Sequence, residues 1–186
     1  MILVIAGMSC AGKDAMQNEL IKLGWNSIVS TTSRPKRVGE IEGVNYYYKT
    51  KKEFQQLIIN NKLIEHRVYH TLVDNKPDEW YYGVERDNVN LNKRTVVVLD
   101  SIGYREFVKT FGKDNVKLLW MEAPTELRKK RNINRLDFNE FEFNRRETED
   151  TKSFGDLKSE ANFIYENTST YDDLIKFANK INNEAR

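Results

Sequence analysis

Three short, almost unbroken apolar runs punctuate the chain: residues 2–6 (ILVIA), 94–99 (RTVVVL) and 116–121 (VKLLWM). Runs of this length without polar alternation read as strands buried on both faces of a sheet. Gly7 to Lys13 breaks the first run. Met16, Leu20 and Leu23 then recur at helical spacing, up to Gly24 as a C-terminal cap. The second run ends at Asp100 and the third at Glu122 and Pro124, and helices are predicted after them at 101–110 and 125–133. Between the first two runs lie a short strand at 27–29 and a surface loop at 32–45, rich in Arg, Pro, Gly and Glu. A strand at 46–48, a helix at 51–60, and strands at 63–69 and 80–84 follow, the last two joined through the polar segment 74–79. The charged stretch 131–150 reads as a mobile cover and the start of a helix, and a strand at 161–165 and a helix at 171–181 close the chain. This alternation predicts an α/β fold with a parallel central sheet flanked by helices.

Composition narrows the function classes. A chain of 186 residues fits one domain with a sizeable core. The formal charge is +2, from 30 basic and 28 acidic side chains, too balanced for a protein that binds nucleic acid electrostatically. Cys10 is the one cysteine, so no intrachain disulfide forms and a reducing compartment is the natural reading. The apolar start is too short for a signal peptide, and no run approaches the roughly 20 residues of a membrane span. These observations predict a soluble, cytoplasmic protein with neither nucleic acid nor membrane as partner.

Residues 7–14 read Gly-Met-Ser-Cys-Ala-Gly-Lys-Asp, the G-x-x-x-x-G-K pattern of a phosphate-binding P-loop with Asp where Ser or Thr is usual. The glycines let successive N–H groups curl inward toward phosphates, and the helix behind adds its positive dipole end. Lys13 would reach the β- and γ-phosphates as a point charge. A bare glycine turn shares the pattern, but the buried strand before it and the amphipathic helix after it favour the cradle. The Asp14 carboxylate is an oxygen ligand that Mg²⁺ accepts, which predicts strict Mg²⁺ dependence. Cys10 reads as a small loop filler rather than a catalytic thiol, since neither His66 nor His70 is placed to serve it.

Residues 30–46 read STTSRPKRVGEIEGVNY. A monophosphate dianion needs forked donors; Arg34 and Arg37 supply them, with a phenol from Tyr46 or Tyr82. A solvated charged loop has similar composition, but a phosphate cradle on the same domain makes that the lesser reading.

This segment closely resembles the monophosphate-binding segment of guanylate kinases. Leu63-Ile64-Glu65, Trp80-Tyr81-Tyr82-Gly83, Val98-Leu99-Asp100 and the arginine-rich stretch after Pro124 are similar to the same family in the same order. With the P-loop at its head, the resemblance covers nearly the whole chain. It implies a P-loop NTPase three-layer fold with its core at 1–30, 94–130 and 146–186. A monophosphate-binding insertion would span 31–93 and a lid about 131–145.

The resemblance also implies the site residues. ATP would lie against Gly7, Ser9, Cys10, Ala11, Gly12, Lys13, Asp14 and Ala15, with Asn167 at the adenine. The monophosphate would meet Ser30, Arg34, Arg37, Tyr46, Glu65, Tyr82 and Asp100, with Glu40 orienting an arginine. Lys13, Arg34, Arg131, Arg135 and Arg146 would neutralise the transferring group, alongside Arg145 on the helix behind the lid, and Asp14 and Asp100 would hold Mg²⁺. Glu65 suits guanine because a carboxylate accepts from N1–H and N2–H together, whereas adenine turns an acceptor toward it. Three departures from the family pattern bear on the acceptor site. Val84 stands where a hydroxyl helps bind O6, leaving Ser30 as the hydroxyl donor; the segment 74–79 is additional; and Ile102 or a one-residue gap takes the place of a second acid.

The implied activity is Mg²⁺-dependent transfer from ATP to GMP or dGMP, with another (deoxy)nucleoside monophosphate as the alternative acceptor. A non-catalytic, peptide-binding relative is disfavoured because Gly7, Gly12 and Lys13 are intact, and a plain ATPase leaves 34–46 unexplained. The partners are nucleotides, and a monomer and a homodimer both fit.

Overall fold

The apolar run at the start forms β1 (Ile2–Ala6), every side chain of which is fully buried. The computed structural model describes residues 1–73, 76–133 and 140–185. Behind β1 comes α1 (Lys13–Lys22), which buries Met16 and Leu20. It stops at Gly24, where φ is +90°: the Gly24 N–H reaches the Ile21 carbonyl and the Trp25 N–H the Leu20 carbonyl, the two bonds that close a helix on a left-handed residue.

The chain then forms β2 (Asn26–Ser27), β3 (Thr31–Thr32), β4 (Tyr47–Tyr48), α2 (Lys51–Ile59), β5 (Leu63–Val73) and β6 (Lys76–Glu85). It continues as β7 (Thr95–Val98), α3 (Ser101–Phe111), β8 (Val116–Glu122), α4 (Thr125–Ile133), α5 (Glu140–Phe154), β9 (Phe163–Glu166) and α6 (Tyr171–Glu184). Thr50 with Glu53 and Thr170 with Asp173 close reciprocal capping boxes on α2 and α6, satisfying the orphan N–H groups of their first turns.

The described residues divide into two units, Met1–Ser27 with Leu91–Arg186, and Ile28–Asn90. The first is built on a sheet in the order β2-β7-β1-β8-β9, with every neighbouring pair parallel. Leu3 and Ile5 of β1 pack with Met16 and Leu20 of α1 and with Leu174, Ala178 and Ile181 of α6. Alternation along β1 sends Ile2 and Val4 to the opposite face, and α3 packs against β8. β1 and β8 therefore deliver their C-terminal ends to one edge of the core, where open α/β sheets hold ligands.

The second unit is a sheet in the order β4-β3-β6-β5. Here the hairpin is longer than the sequence pattern predicts: Pro77, Asp78 and Glu79 belong to β6 instead of a connecting loop. β3 pairs with β6 at Tyr82 and Gly83 alone, so the Lys76 end of β6 is a two-stranded ribbon with β5, where proline and charged residues are tolerated. Lys51 pairs with Asp78 there, and His70 Nδ1 lies 3.3 Å from Glu79 Oε1. Other boundaries shift too. The strand predicted at 27–29 is Asn26–Ser27, Thr32 ends a short strand with Thr31 rather than opening the loop, and the charged stretch 131–150 carries the end of α4 and most of α5. Among the described residues, no helix is long and apolar enough to cross a membrane.

Candidate functional site

In the first unit, the chain leaves β1 at Gly7 with φ +144°, and a Cβ there would lie 1.9 Å from the Met121 carbonyl oxygen of β8. A Met8–Ala11 turn follows, closed by the Ala11 N–H on the Met8 carbonyl at 3.2 Å. Cys10 takes a left-handed φ of +62° and Gly12, the N-cap of α1, one of +99°. Left-handed residues among right-handed ones turn peptide N–H groups into a concavity that receives anions, and the helix start adds its dipole. One anion is already in place: the Ser9 N–H donates to Asp150 Oδ2 of α5 at 2.7 Å. Lys13 Nζ donates to the Gly7 and Met8 carbonyls at 2.6 and 2.9 Å.

The outer side of the loop is braced. Asn167 is 6% exposed, and its Nδ2 donates to the Ala11 carbonyl at 2.8 Å. A Cβ on Gly12 would come within 2.3 Å of that nitrogen. Arg131, in the last turn of α4, donates to the Asn167 carbonyl at 3.0 Å and to those of Cys10 and Ala11 at 3.4 Å. Arg128 is nearly buried; it donates to the Ser9 carbonyl at 3.4 Å and, as a fork, to both oxygens of Glu147 at 2.5 and 2.6 Å. A peptide whose C=O is held on one side presents its N–H to the other, so these bonds set the direction of the cradle.

Asp14 lies exposed in the first turn of α1, and Ala15 beside it is half-buried. Asp100 belongs to this unit and caps α3, accepting from the Gly103 N–H at 2.7 Å. Among the described residues, no group of three or more His, Cys, Asp or Glu side chains clusters as a metal site. Hard carboxylate oxygens are nevertheless what Mg²⁺ takes, and one or two suffice where phosphate and water complete its shell. Arg146 is half-buried on α5 and Arg145 pairs with Glu149 at 2.6 Å; Arg135 lies outside the described residues.

The second unit is organised around Glu40. A turn with Gly39 at φ +83° folds the chain back, and three donors converge on the Glu40 carboxylate. They are Arg34 Nη2 at 2.6 Å, the Arg37 N–H at 2.7 Å and the Tyr48 hydroxyl at 2.7 Å. Burial opposes the charge, but hydrogen bonds from Arg34, Arg37 and Tyr48 outweigh it and hold Glu40 at about 2. Arg34, only 4% exposed, also donates to the Pro35 carbonyl and lies 5.4 Å over the Tyr46 ring. Tyr46 meets Tyr82 edge-on at 5.8 Å. The half-buried Ser30 accepts the Tyr47 N–H through its carbonyl. Glu65 is 8% exposed, and its cross-strand neighbour Val84 is fully buried.

Residues 1–135 match the family model described as guanylate kinase. The chain belongs to the guanylate kinase family. It is 38% identical over 105 residues to a guanylate kinase of Rickettsia felis, covering 54% of this chain and 50% of that one. A guanylate kinase of Mycoplasmoides gallisepticum is 36% identical over 118 residues, 61% of this chain and 56% of its own. The match thus spans about half the length of these two relatives. A guanylate kinase of Rickettsia typhi is 32% identical over 147 residues, 75% of this chain and 70% of its own. The crystal structure of guanylate kinase from Anaplasma phagocytophilum shares the fold, with a TM-score of 0.64 at 24% identity over all of this chain and 84% of that one.

Arg128, Glu147 and Asp150 were not visible as site residues in the sequence of this guanylate kinase family member. Arg128 stands three residues before Arg131, one helical turn away, and that spacing was the available signal. Nothing in the local sequence points α5 carboxylates at the loop.

Two predictions follow from the geometry. Gly7→Ala places a methyl against backbone that cannot yield, and is expected to lower the unfolding free energy by about 3 kcal/mol in urea denaturation. A loss under about 1 kcal/mol would contradict the close approach. Glu40 has a folded value below its ordinary 4.5, so its contribution to stability is complete above that pH and is lost as pH falls through about 2. Acid unfolding followed by tyrosine and tryptophan fluorescence should therefore be shallower in Glu40→Gln than in wild type across this window.

Proposed function

We propose that this guanylate kinase family member transfers the γ-phosphoryl group of ATP to GMP or dGMP in a Mg²⁺-dependent reaction, giving ADP and GDP or dGDP. The observation that carries the reading lies within the second unit, where Arg34 is buried and fixed by Glu40. A guanidinium held this way has already met its ordering cost, so a monophosphate gains from it more than from a solvent-exposed arginine. Glu65, nearly buried on the same unit, offers a carboxylate to the paired N–H donors of guanine.

The donor's phosphates would lie in the loop at residues 7–14, taking the amide that now meets Asp150 and drawing Lys13 from the Gly7 and Met8 carbonyls. One oxygen of the monophosphate attacks the γ-phosphorus as the bond to the β–γ bridging oxygen breaks and leaves with ADP. The protein's task in such a reaction is positioning and charge neutralisation. Lys13, Arg34 and Arg37 would supply it, with Arg131, Arg135 and Arg146 from the arginine-rich segment. Asp14 and Asp100 would hold Mg²⁺, which when bound offsets the charge shared by the β- and γ-phosphates.

The test is isotope transfer from γ-labelled ATP to a panel of ribo- and deoxyribonucleoside monophosphates, with and without Mg²⁺. GMP or dGMP should be the best acceptors, and Lys13→Ala should lower kcat about 100-fold or more. Greater activity on CMP or UMP would remove the guanine assignment, and transfer to water alone would remove the kinase.

A further inference from the structure

On the face of β5 that carries Glu65, alternation places Arg67 and then Tyr69. Their partners across the ladder are Val84, Tyr82 and Trp80 in that order, and residues directly opposite in an antiparallel pair share a face. Arg67 Nη1 lies 3.6 Å from Glu65 Oε2, and the Arg67 side chain is 17% exposed and that of Glu65 6%. The same guanidinium donates to the His66 carbonyl, which pins it beside the strand. Tyr82, opposite Arg67, touches both Tyr46 and Tyr69 edge-on. A continuous strip thus runs within one unit from Arg34 over Tyr46 and Tyr82 to Arg67 and Glu65.

Glu65 accounts for the two N–H donors of guanine but leaves its acceptors, O6 and N7, without a partner from that carboxylate. Val84, the residue opposite Glu65, is wholly buried and has no donor to give. Ser30 offers one hydroxyl for O6 and nothing for N7; Arg67 carries two donors on the strand face of Glu65. A guanidinium fork matches the O6/N7 pair in a planar, bidentate geometry. Resting on the functional reading above, we propose that Arg67 is a specificity-determining residue that donates to guanine O6 and N7 while Glu65 accepts from N1–H and N2–H. The two side chains together present opposite charge to the two halves of one base edge. Adenine fails against both, since its exocyclic amine would face the guanidinium and its N1 the carboxylate. Pairing with Arg67 also gives the nearly buried Glu65 an opposite charge beside it, at a site where an isolated carboxylate would be costly.

Steady-state kinetics on the full chain separate this role from simple charge balance. Substrates are GMP, 6-thio-GMP (a weak acceptor at position 6) and IMP (no 2-amino group); the enzymes are wild type, Arg67→Met and Arg67→Lys, each checked for an unchanged thermal midpoint. Arg67→Met is expected to raise KM for GMP about tenfold with kcat within about twofold. Wild type should disfavour 6-thio-GMP against GMP by a similar factor, and Arg67→Met should abolish that difference while keeping the IMP penalty that Glu65 imposes. Arg67→Lys, which keeps the charge and loses the fork, should retain most of the KM defect. The proposal is overturned if Arg67→Met leaves KM for GMP unchanged or lower, or if Arg67→Lys behaves as wild type, because Arg67 then serves only to balance Glu65. Absence of GMP turnover by wild type would refute the functional reading itself, a result distinct from either.

Discussion

A phosphate anion leaves water only for donors whose directions are already settled, because each donor that must be ordered on arrival subtracts from the gain. Both units settle the directions of their donors with bonds inside the protein. In the loop, Arg128, Arg131 and Asn167 hold the carbonyls of Ser9, Cys10 and Ala11, and glycines at 7 and 12 allow turns that other residues cannot make. In the second unit, one carboxylate collects Arg34, the Arg37 amide and Tyr48. Glu40 is therefore more than a neutralising charge. It fixes the Arg34 guanidinium and the Arg37 backbone, and the hydrogen bonds it accepts lower its pKa.

Much of this was legible in the chain. The uninterrupted apolar runs marked β1, β7 and β8, because strands buried on both faces allow no polar alternation. The P-loop declared itself through glycines whose absence of a side chain the close approach to Met121 explains. What was hidden is tertiary. The ribbon at 76–79 contains proline and two acids, and only the ladder with β5 makes it strand. Asp150 reaches the loop from more than a hundred residues away, Glu147 reaches it only through Arg128, and no local pattern encodes such contacts. Arg131 and Asn167 also lie against loop carbonyls, contacts visible only once the helices are packed.

The base end shows how one departure from a family pattern is absorbed. With valine at 84 in place of a hydroxyl residue, an arginine stands two residues along from Glu65 on the same strand face. Family membership fixes the scaffold; base selection would rest on side chains of β5 and β6.

On the proposed function, the loop at residues 7–14 and the Arg34–Glu65 strip serve the donor and the acceptor of a single reaction. A crystal structure with a bisubstrate analogue, adenosine and guanosine joined through five phosphates, tests it most directly. One analogue molecule should be bound, with phosphates against the loop amides and Lys13 at one end, and Arg34 at the last phosphate with guanine on Glu65 at the other. Guanine seated away from Glu65, or two analogue molecules occupying the two units separately, would contradict it.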